Sequence, residues 1–94
     1  MNGLSEHVGN VGERSEFFVV VESVKVQDGK FGATAIHTMS DSANNKLVWF
    51  AKGSRENWLK AGSVYTVKAT VKRHNVFQGM NQTELQRVKV LKEE

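Results

Sequence analysis

Cysteine and proline are both absent from this 94-residue chain. Without cysteine there is no disulfide framework, no thiol nucleophile and no cysteine-ligated zinc or iron–sulfur site. Without proline there are no polyproline linkers and no collagen-like repeats. No apolar run approaches the roughly 20 residues that span a bilayer, and the N-terminus lacks the apolar core of a signal peptide. We therefore expect one cytoplasmic domain that has no membrane partner.

The sequence also contains little that indicates catalysis. It has no phosphate-binding glycine loop, no nucleophile elbow, no zinc-protease motif and no paired-carboxylate spacing. Its three histidines, His7, His37 and His74, are far apart in the chain and have no carboxylate pattern beside them. We therefore expect no enzymatic activity, no cofactor and no bound metal.

Charge is distributed unevenly along the chain. Residues 1–45 contain three basic and six acidic side chains, a net charge of −3, whereas residues 46–94 contain ten basic and four acidic ones, a net charge of +6. A basic second half can line one surface and attract an anionic polymer. The alternative is a solvated basic surface without a specific partner.

Apolar and polar residues alternate in five segments, which predicts β-strands over residues 16–26, 31–39, 46–52, 63–72 and 82–91. In the first strand the alternation slips by one residue at Glu22–Ser23. In the last strand it slips between Leu85 and Val88. Each slip predicts a bulge or a strong bend.

Turn and capping residues predict the connections between these strands. Asp28–Gly29 predicts a tight turn after the first strand, and residues 75–81 predict a loop before the last one. Ser54 and Gly62 are suited to cap one short helix over residues 54–61. Within that helix, Trp58 and Leu59 are expected to pack into the core.

The N-terminal segment differs in composition from the rest of the chain. Residues 1–13 contain three glycines and few apolar side chains. This composition predicts an arm or the remnant of a linker. The folded domain is expected to span residues 14–92.

The phase of each strand predicts which side chains are buried. In the fourth strand, we expect the interior to contain Tyr65, Val67, Ala69 and Val71, with Lys68 and Lys72 outside. In the third strand, we prefer the phase that buries Leu47, Trp49 and Ala51 and leaves Phe50 outside with Lys46 and Lys52.

The second strand allows two interpretations. Either Ala35, His37 and Met39 face the core, in which case a buried His37 needs a hydrogen-bond partner, or Ile36 is buried and His37 faces a ligand. The pattern of the strand does not choose between these two.

The order of elements, three strands, a helix and two further strands, suits a sheet that curls and closes on itself. The segments HVGNVGERSEF, GKFGATAIHTMSD, NKLVWFAKG and GSVYTVKATVKRHNVFQGMNQTELQRVKV, which lie within residues 7–91, carry a pattern of glycines, turns and aromatic residues. This pattern resembles small bacterial and phage OB-fold domains related to single-stranded DNA-binding modules. The resemblance implies an all-β fold, a five-stranded closed Greek-key barrel with one short helix between strands 3 and 4.

In an OB-fold, the ligand binds the outer face of strands 2 and 3, between the loops that join strands 1–2 and 4–5. Binding a single strand needs basic groups for the phosphates and aromatic faces for the bases. The residues expected there are Lys30, Phe31, Lys46, Phe50, Lys52, Lys72, Arg73, His74, Phe77, Gln82 and Arg87. Asp28, Asp41 and Glu84 are the nearby carboxylates, and we expect them to be solvated or to cap turns.

These residues predict a non-enzymatic module that binds single-stranded nucleic acid with low sequence specificity. DNA is the preferred ligand, and single-stranded RNA is the alternative, because nothing in the sequence marks a contact to a 2′-hydroxyl. The stacking residues would be Phe31, Phe50 and Phe77. For Phe77 the alternative is packing on its own loop beside Met80. The alternative function is an OB-fold domain for protein–protein contacts or homo-oligomerisation, excised from a larger replication or phage protein.

Overall fold

A computed structural model of the chain describes residues 5–30, 32–52 and 58–94. Its strands are β1 (Arg14–Gly29), β2 (Gly32–Ser40), β3 (Lys46–Lys52), β4 (Val64–Phe77) and β5 (Met80–Glu93). They form a closed barrel in the order β1-β2-β3-β5-β4. The pairing of β3 with β5 is parallel, and the other four pairings are antiparallel. The prediction of an all-β, closed five-stranded barrel is confirmed.

The barrel interior is filled by side chains from alternate positions of every strand. The core consists of Val19, Val21, Met39, Leu47, Leu59, Tyr65, Val67, Ala69, Val71 and Leu85. Lys68 and Lys72, on the other face of β4, are exposed. The predicted phase of the fourth strand is therefore confirmed. Phe50 is exposed, as predicted for the third strand, while Trp49 is partly buried and packs against the core.

Both predicted phase slips are β-bulges. The pairing of β1 with β2 shifts between Val21 and Ser23. In β5, Gln86 pairs with Thr70 and Lys89 pairs with Lys68, so two residues of β5 lie opposite one residue of β4. An extra residue reverses the inward and outward positions that follow it, which is why the apolar alternation changes phase at each bulge.

The predicted helix over residues 54–61 is not found in the part of it that the structure describes. Residues 58–60 have no regular structure, and residues 61–62 form a turn. The backbone amide of Leu59 donates to His37 Nε2 (3.0 Å), and that of Lys60 donates to the Tyr65 hydroxyl (2.9 Å). Side chains of the barrel therefore bind amides of this segment. The rest of the predicted helix, including its cap Ser54, lies outside the described residues.

Trp58 is only partly buried and is not among the core residues, so the prediction that it packs into the core is wrong. Leu59 packs into the core instead, with 5% of its surface exposed. The segment has no regular structure at this point, and its two neighbouring side chains differ in burial. Only one of them reaches the interior.

The predicted loop over residues 75–81 is instead the end of a long hairpin. β4 continues to Phe77, which pairs with Met80, the first residue of β5. The turn between them consists of Gln78 and Gly79, with φ values of 52° and 79°. Two consecutive positive φ values give a turn whose twist matches that of the strands, so the pairing persists to the tip.

The prediction of a turn at Asp28–Gly29 is wrong in position, because β1 continues through both residues. Asp28 pairs with Ala33 and Gly29 pairs with Gly32. Gly32 has a φ of 117°, a value that side chains rarely permit. The hairpin of β1 and β2 therefore extends farther than predicted.

Strand β2 adopts the first of its two predicted phases. Ala35, His37 and Met39 are fully buried, and Ile36 is partly exposed on the other face. The partner that a buried His37 requires is the amide of Leu59. Its Nδ1 lies 3.2 Å from the carbonyl oxygen of Ala35, and its ring stacks on Trp49 with centroids 4.6 Å apart.

The segment before β1 lies against the barrel from residue 5 onward. The amide of Val8 donates to Thr83 Oγ1 (2.9 Å), and the amide of Gly12 donates to the carbonyl oxygen of Val71 (2.8 Å). Whether the domain begins at residue 14 stays a prediction. Within the described ranges, no helix has the length and hydropathy needed to cross a membrane.

Candidate functional site

The outer face of β1, β2 and β3 consists of three rows of side chains, set by the strand register. The rows are Ser23–Thr38–Val48, Lys25–Ile36–Phe50 and Gln27–Thr34–Lys52. Residues that pair across antiparallel strands lie on the same face, and neighbours along a strand lie on opposite faces. The burial of His37 on the inner face therefore places these rows outside.

A groove of about 420 Å³ crosses this face, and we call it the outer groove. Its lining consists of Ser23, Lys25, Gln27, Ile36, Thr38, Val48, Phe50, Phe77 and Gln82. Phe50 is 42% exposed and Phe77 is 57% exposed. Phe50 belongs to the third strand, whereas Phe77 is on the hairpin of β4 and β5. The fold thus brings two exposed phenyl rings from distant parts of the chain to one groove.

Three predicted site residues, Phe50, Phe77 and Gln82, line the outer groove together. Lys25 and Gln27, which face the same groove from β1, are not among the residues predicted from the sequence. The signal for them was present, because the slip at Glu22–Ser23 turns Val24 inward and therefore turns Lys25 outward. The hairpin of β1 and β2 then places both residues on this face, because Lys25 pairs with Ile36 and Gln27 pairs with Thr34.

A second depression of about 490 Å³, the middle cleft, adjoins the groove at Phe50. It is lined by Thr34, Trp49, Phe50, Lys52, Lys72, Glu84, Leu85, Gln86 and Arg87. Four of the predicted residues, Phe50, Lys52, Lys72 and Arg87, therefore meet here. Among the described residues, neither Lys52 nor Arg87 forms a salt bridge.

Glu84 partly offsets the positive charge of this cleft. Its Oε2 lies 3.5 Å from Lys72 Nζ, and its Oε1 lies 3.4 Å from Arg73 Nε. The Glu84 side chain is mostly buried, while both cations remain substantially exposed. The expectation that Glu84 is a solvated or capping acid is wrong, because it lies within β5 and pairs with Arg73 across the sheet. Asp41, in contrast, does cap a turn, accepting from the amides of Ala43 and Asn45.

Two of the other predicted residues contact groups outside the outer groove. Lys46 Nζ forms a salt bridge with Glu22 Oε2 at 3.0 Å. His74 stacks on His7 of the N-terminal segment, with ring centroids 4.5 Å apart and planes inclined by 8°. Lys30 is exposed where β1 ends, and Phe31 lies outside the described residues.

The geometry offers exposed aromatic faces, amide groups and cations along one side of the barrel. Within the residues that the structure describes, no group of three or more histidine, aspartate or glutamate side chains is placed to hold a metal ion. No protein-family model, curated protein or solved structure significantly matches the chain. The chemistry of the groove and its neighbouring cleft is therefore the basis for proposing a function.

Proposed function

We propose that the protein is a non-enzymatic OB-fold module that binds single-stranded nucleic acid with low sequence specificity. The observation that carries this proposal is the presence of Phe50 and Phe77, both exposed, in one groove that also contains Lys25. In OB-folds the ligand face is formed by strands 2 and 3, with the hairpin of strands 4 and 5 beside it. The outer groove has this position in the barrel.

In the proposed complex, bases stack on the two phenyl rings, and Lys25, Lys52 and Arg87 neutralise phosphates. Base–aromatic stacking contributes about 1–3 kcal/mol per base and tolerates any sequence, because every base has a π-face. Gln82 lines the groove and can donate or accept hydrogen bonds at base edges. This combination predicts affinity for single strands without strong base selection.

We propose DNA rather than RNA as the ligand, following the resemblance to single-stranded DNA-binding modules. RNA recognition commonly uses contacts to the 2′-hydroxyl. Comparison of oligo-dT with oligo-U of equal length tests this choice. Tighter binding of oligo-U would assign the module to RNA.

The decisive experiment is a salt titration of binding to fluorescently labelled oligo-dT. For single strands, the logarithm of the association constant falls with the logarithm of salt concentration, by about 0.7 for each phosphate contacted. We expect a slope of about −2, since the proposal names three phosphate-binding cations. Absence of binding at low salt would refute the proposed function.

A protein-contact module is the second candidate, and one specific feature favours it. Phe18 is 49% exposed and Val20 is 37% exposed, and both are on the part of β1 that pairs with β4. Neither residue lines the outer groove or the middle cleft. Sedimentation velocity of the wild-type protein and of Phe18→Ala tests it, because self-association through this patch would be lost in the variant.

A further inference from the structure

Strands β3 and β5 pair over only part of their length. Lys46 to Trp49 pair with Gln82 to Leu85, whereas the remaining residues of β3, from Phe50 to Lys52, pair with β2 but not with the described residues of β5. Two residues after Leu85, Arg87 has a φ of 55° at the bulge of β5. A bulge bends its strand, so β5 leaves β3 at this point. A depression of about 740 Å³, which we call the side cleft, lies between the two strands.

The lining of the side cleft is strongly basic in the part of the chain that the structure describes. It includes four cations, Lys52, Lys60, Arg87 and Lys89, and one carboxylate, Glu93. None of these cations forms a salt bridge with a described residue. The middle cleft differs in this respect, because Glu84 pairs there with Lys72. The charge of the side cleft therefore suits a polyanion.

The side cleft is also continuous with the proposed binding surface. Lys52 and Arg87 line both the side cleft and the middle cleft. Phe50 lines both the middle cleft and the outer groove. A chain in the outer groove can therefore cross Phe50, pass between Lys52 and Arg87, and enter the side cleft.

We propose that the side cleft is a second phosphate-binding subsite, which holds the continuation of the single strand bound in the outer groove. This inference rests on the proposed function. The occupant is a single strand rather than an acidic protein segment, because the cleft shares residues with a groove that presents stacking rings. Binding in the side cleft extends the length of strand that one molecule contacts.

The test compares oligo-dT of about 5 and about 15 nucleotides, lengths near the two ends of the site sizes known for OB-folds. The variant is Lys60→Glu, since Lys60 is exposed and lines only the side cleft among the three depressions. The matched control is Lys68→Glu, an equal charge change at an exposed position that lines none of them.

We expect Lys60→Glu to weaken binding of the longer oligonucleotide by about tenfold or more relative to Lys68→Glu, because a phosphate contact is replaced by repulsion. Binding of the shorter oligonucleotide should be equal in the two variants. Intrinsic fluorescence gives a second measurement, since both tryptophans of the chain, Trp49 and Trp58, line the side cleft. The longer oligonucleotide should quench it more than the shorter one.

Equal affinities of the two variants for the longer oligonucleotide would overturn the subsite while leaving the proposed function intact. Failure of the wild-type protein to bind either oligonucleotide would overturn both. A third outcome assigns the cleft to an acidic protein partner: poly-glutamate would bind as tightly as the longer oligonucleotide and would be weakened equally by Lys60→Glu.

Discussion

The backbone amide of Leu59 donates a hydrogen bond to Nε2 of His37 inside the barrel, over 3.0 Å. An Nε2 that accepts a hydrogen bond carries no proton, so Nδ1 bears the proton and donates to the carbonyl oxygen of Ala35. The imidazole is therefore neutral in the folded protein. Desolvation by burial lowers its pKa, more strongly than its backbone hydrogen bonds raise it.

The lowered pKa of His37 predicts that stability depends on pH. In the unfolded chain this histidine takes up a proton as the pH falls through about 6.5, whereas in the folded protein it does so only at lower pH. The unfolded state then binds more protons, so the free energy of unfolding decreases below pH 6.5 and levels off below the folded pKa. Denaturant unfolding at a series of pH values measures how the free energy of unfolding depends on pH.

The variant His37→Gln provides the control for the pH dependence, because an amide oxygen can accept from Leu59 but the side chain does not titrate. The free energy of unfolding should decrease less in this variant than in the wild-type protein as the pH falls below 6.5. His7 and His74 remain in both proteins, so their contribution cancels in the comparison. An identical pH dependence in the two proteins would contradict the role assigned to His37.

The alternation of buried and exposed residues in β4 predicts that an acidic substitution has very different effects at two neighbouring positions. Val67 is fully buried, and Lys68 is exposed on the other face. Val67→Asp should unfold the domain, because it places a carboxylate in the apolar interior. Lys68→Asp should change the free energy of unfolding by no more than about 0.5 kcal/mol. Thermal melts monitored by circular dichroism would disprove the assignment if Val67→Asp melted like the wild-type protein.

The two phenyl rings of the outer groove should contribute directly to binding. Phe77→Ala and Phe50→Ala should each cost about 1–3 kcal/mol of affinity for oligo-dT, with stability within about 0.5 kcal/mol of wild type for these exposed positions. Phe77→Trp should retain binding, since a larger π-face also stacks. Affinity is measured by fluorescence anisotropy.

Phe18→Ala is the matched control for this pair, because the exposed fraction of Phe18 (49%) lies between those of Phe50 and Phe77, but Phe18 lies outside the groove. Its affinity for oligo-dT should equal that of the wild-type protein. If Phe77→Ala instead lost stability and kept its affinity, the ring would serve to hold the hairpin tip beside Met80, and stacking would fall to Phe50.

Glu84 should reduce the affinity for polyanions by holding Lys72 and Arg73. Glu84→Gln keeps the shape of the side chain and removes its charge, so both cations become available to phosphates. We expect tighter binding and one to two additional phosphate contacts, which would make the salt slope steeper by roughly 0.7 for each contact. Adding Lys72→Ala and Arg73→Ala to this variant should remove the gain. An unchanged slope in Glu84→Gln would show that these cations do not approach the bound strand.

Removal of residues 1–13 tests where the domain begins. The truncated protein loses the hydrogen bonds from Val8 to Thr83 and from Gly12 to Val71, and the contact of His7 with His74. At about 1 kcal/mol for each hydrogen bond, we expect a decrease of at least about 2 kcal/mol in the free energy of unfolding. A truncated protein as stable as the full chain would support a domain that starts at residue 14.

Local patterns in the sequence determined the number and order of the strands, the phases of the third and fourth strands and two of the bulges, but not where the hairpins end. Alternation with a period of two residues reports which face of a strand is buried, and a slip such as the one at Glu22–Ser23 reports an extra residue. Both signals depend only on neighbours along the chain. Phe50 could therefore be assigned to the outer face from β3 alone.

Tertiary structure alone decided which residues from distant parts of the chain are in contact. Residues 58–62 resemble the end of a capped helix, yet the amides of Leu59 and Lys60 bind side chains of β2 and β4. The burial of His37 depended on that same amide, which is distant in the chain. Tertiary structure also brought Lys25 and Phe77 into the lining of one groove. These relationships join residues far apart in sequence, and the energy of such contacts exceeds the small local preferences on which prediction from sequence depends.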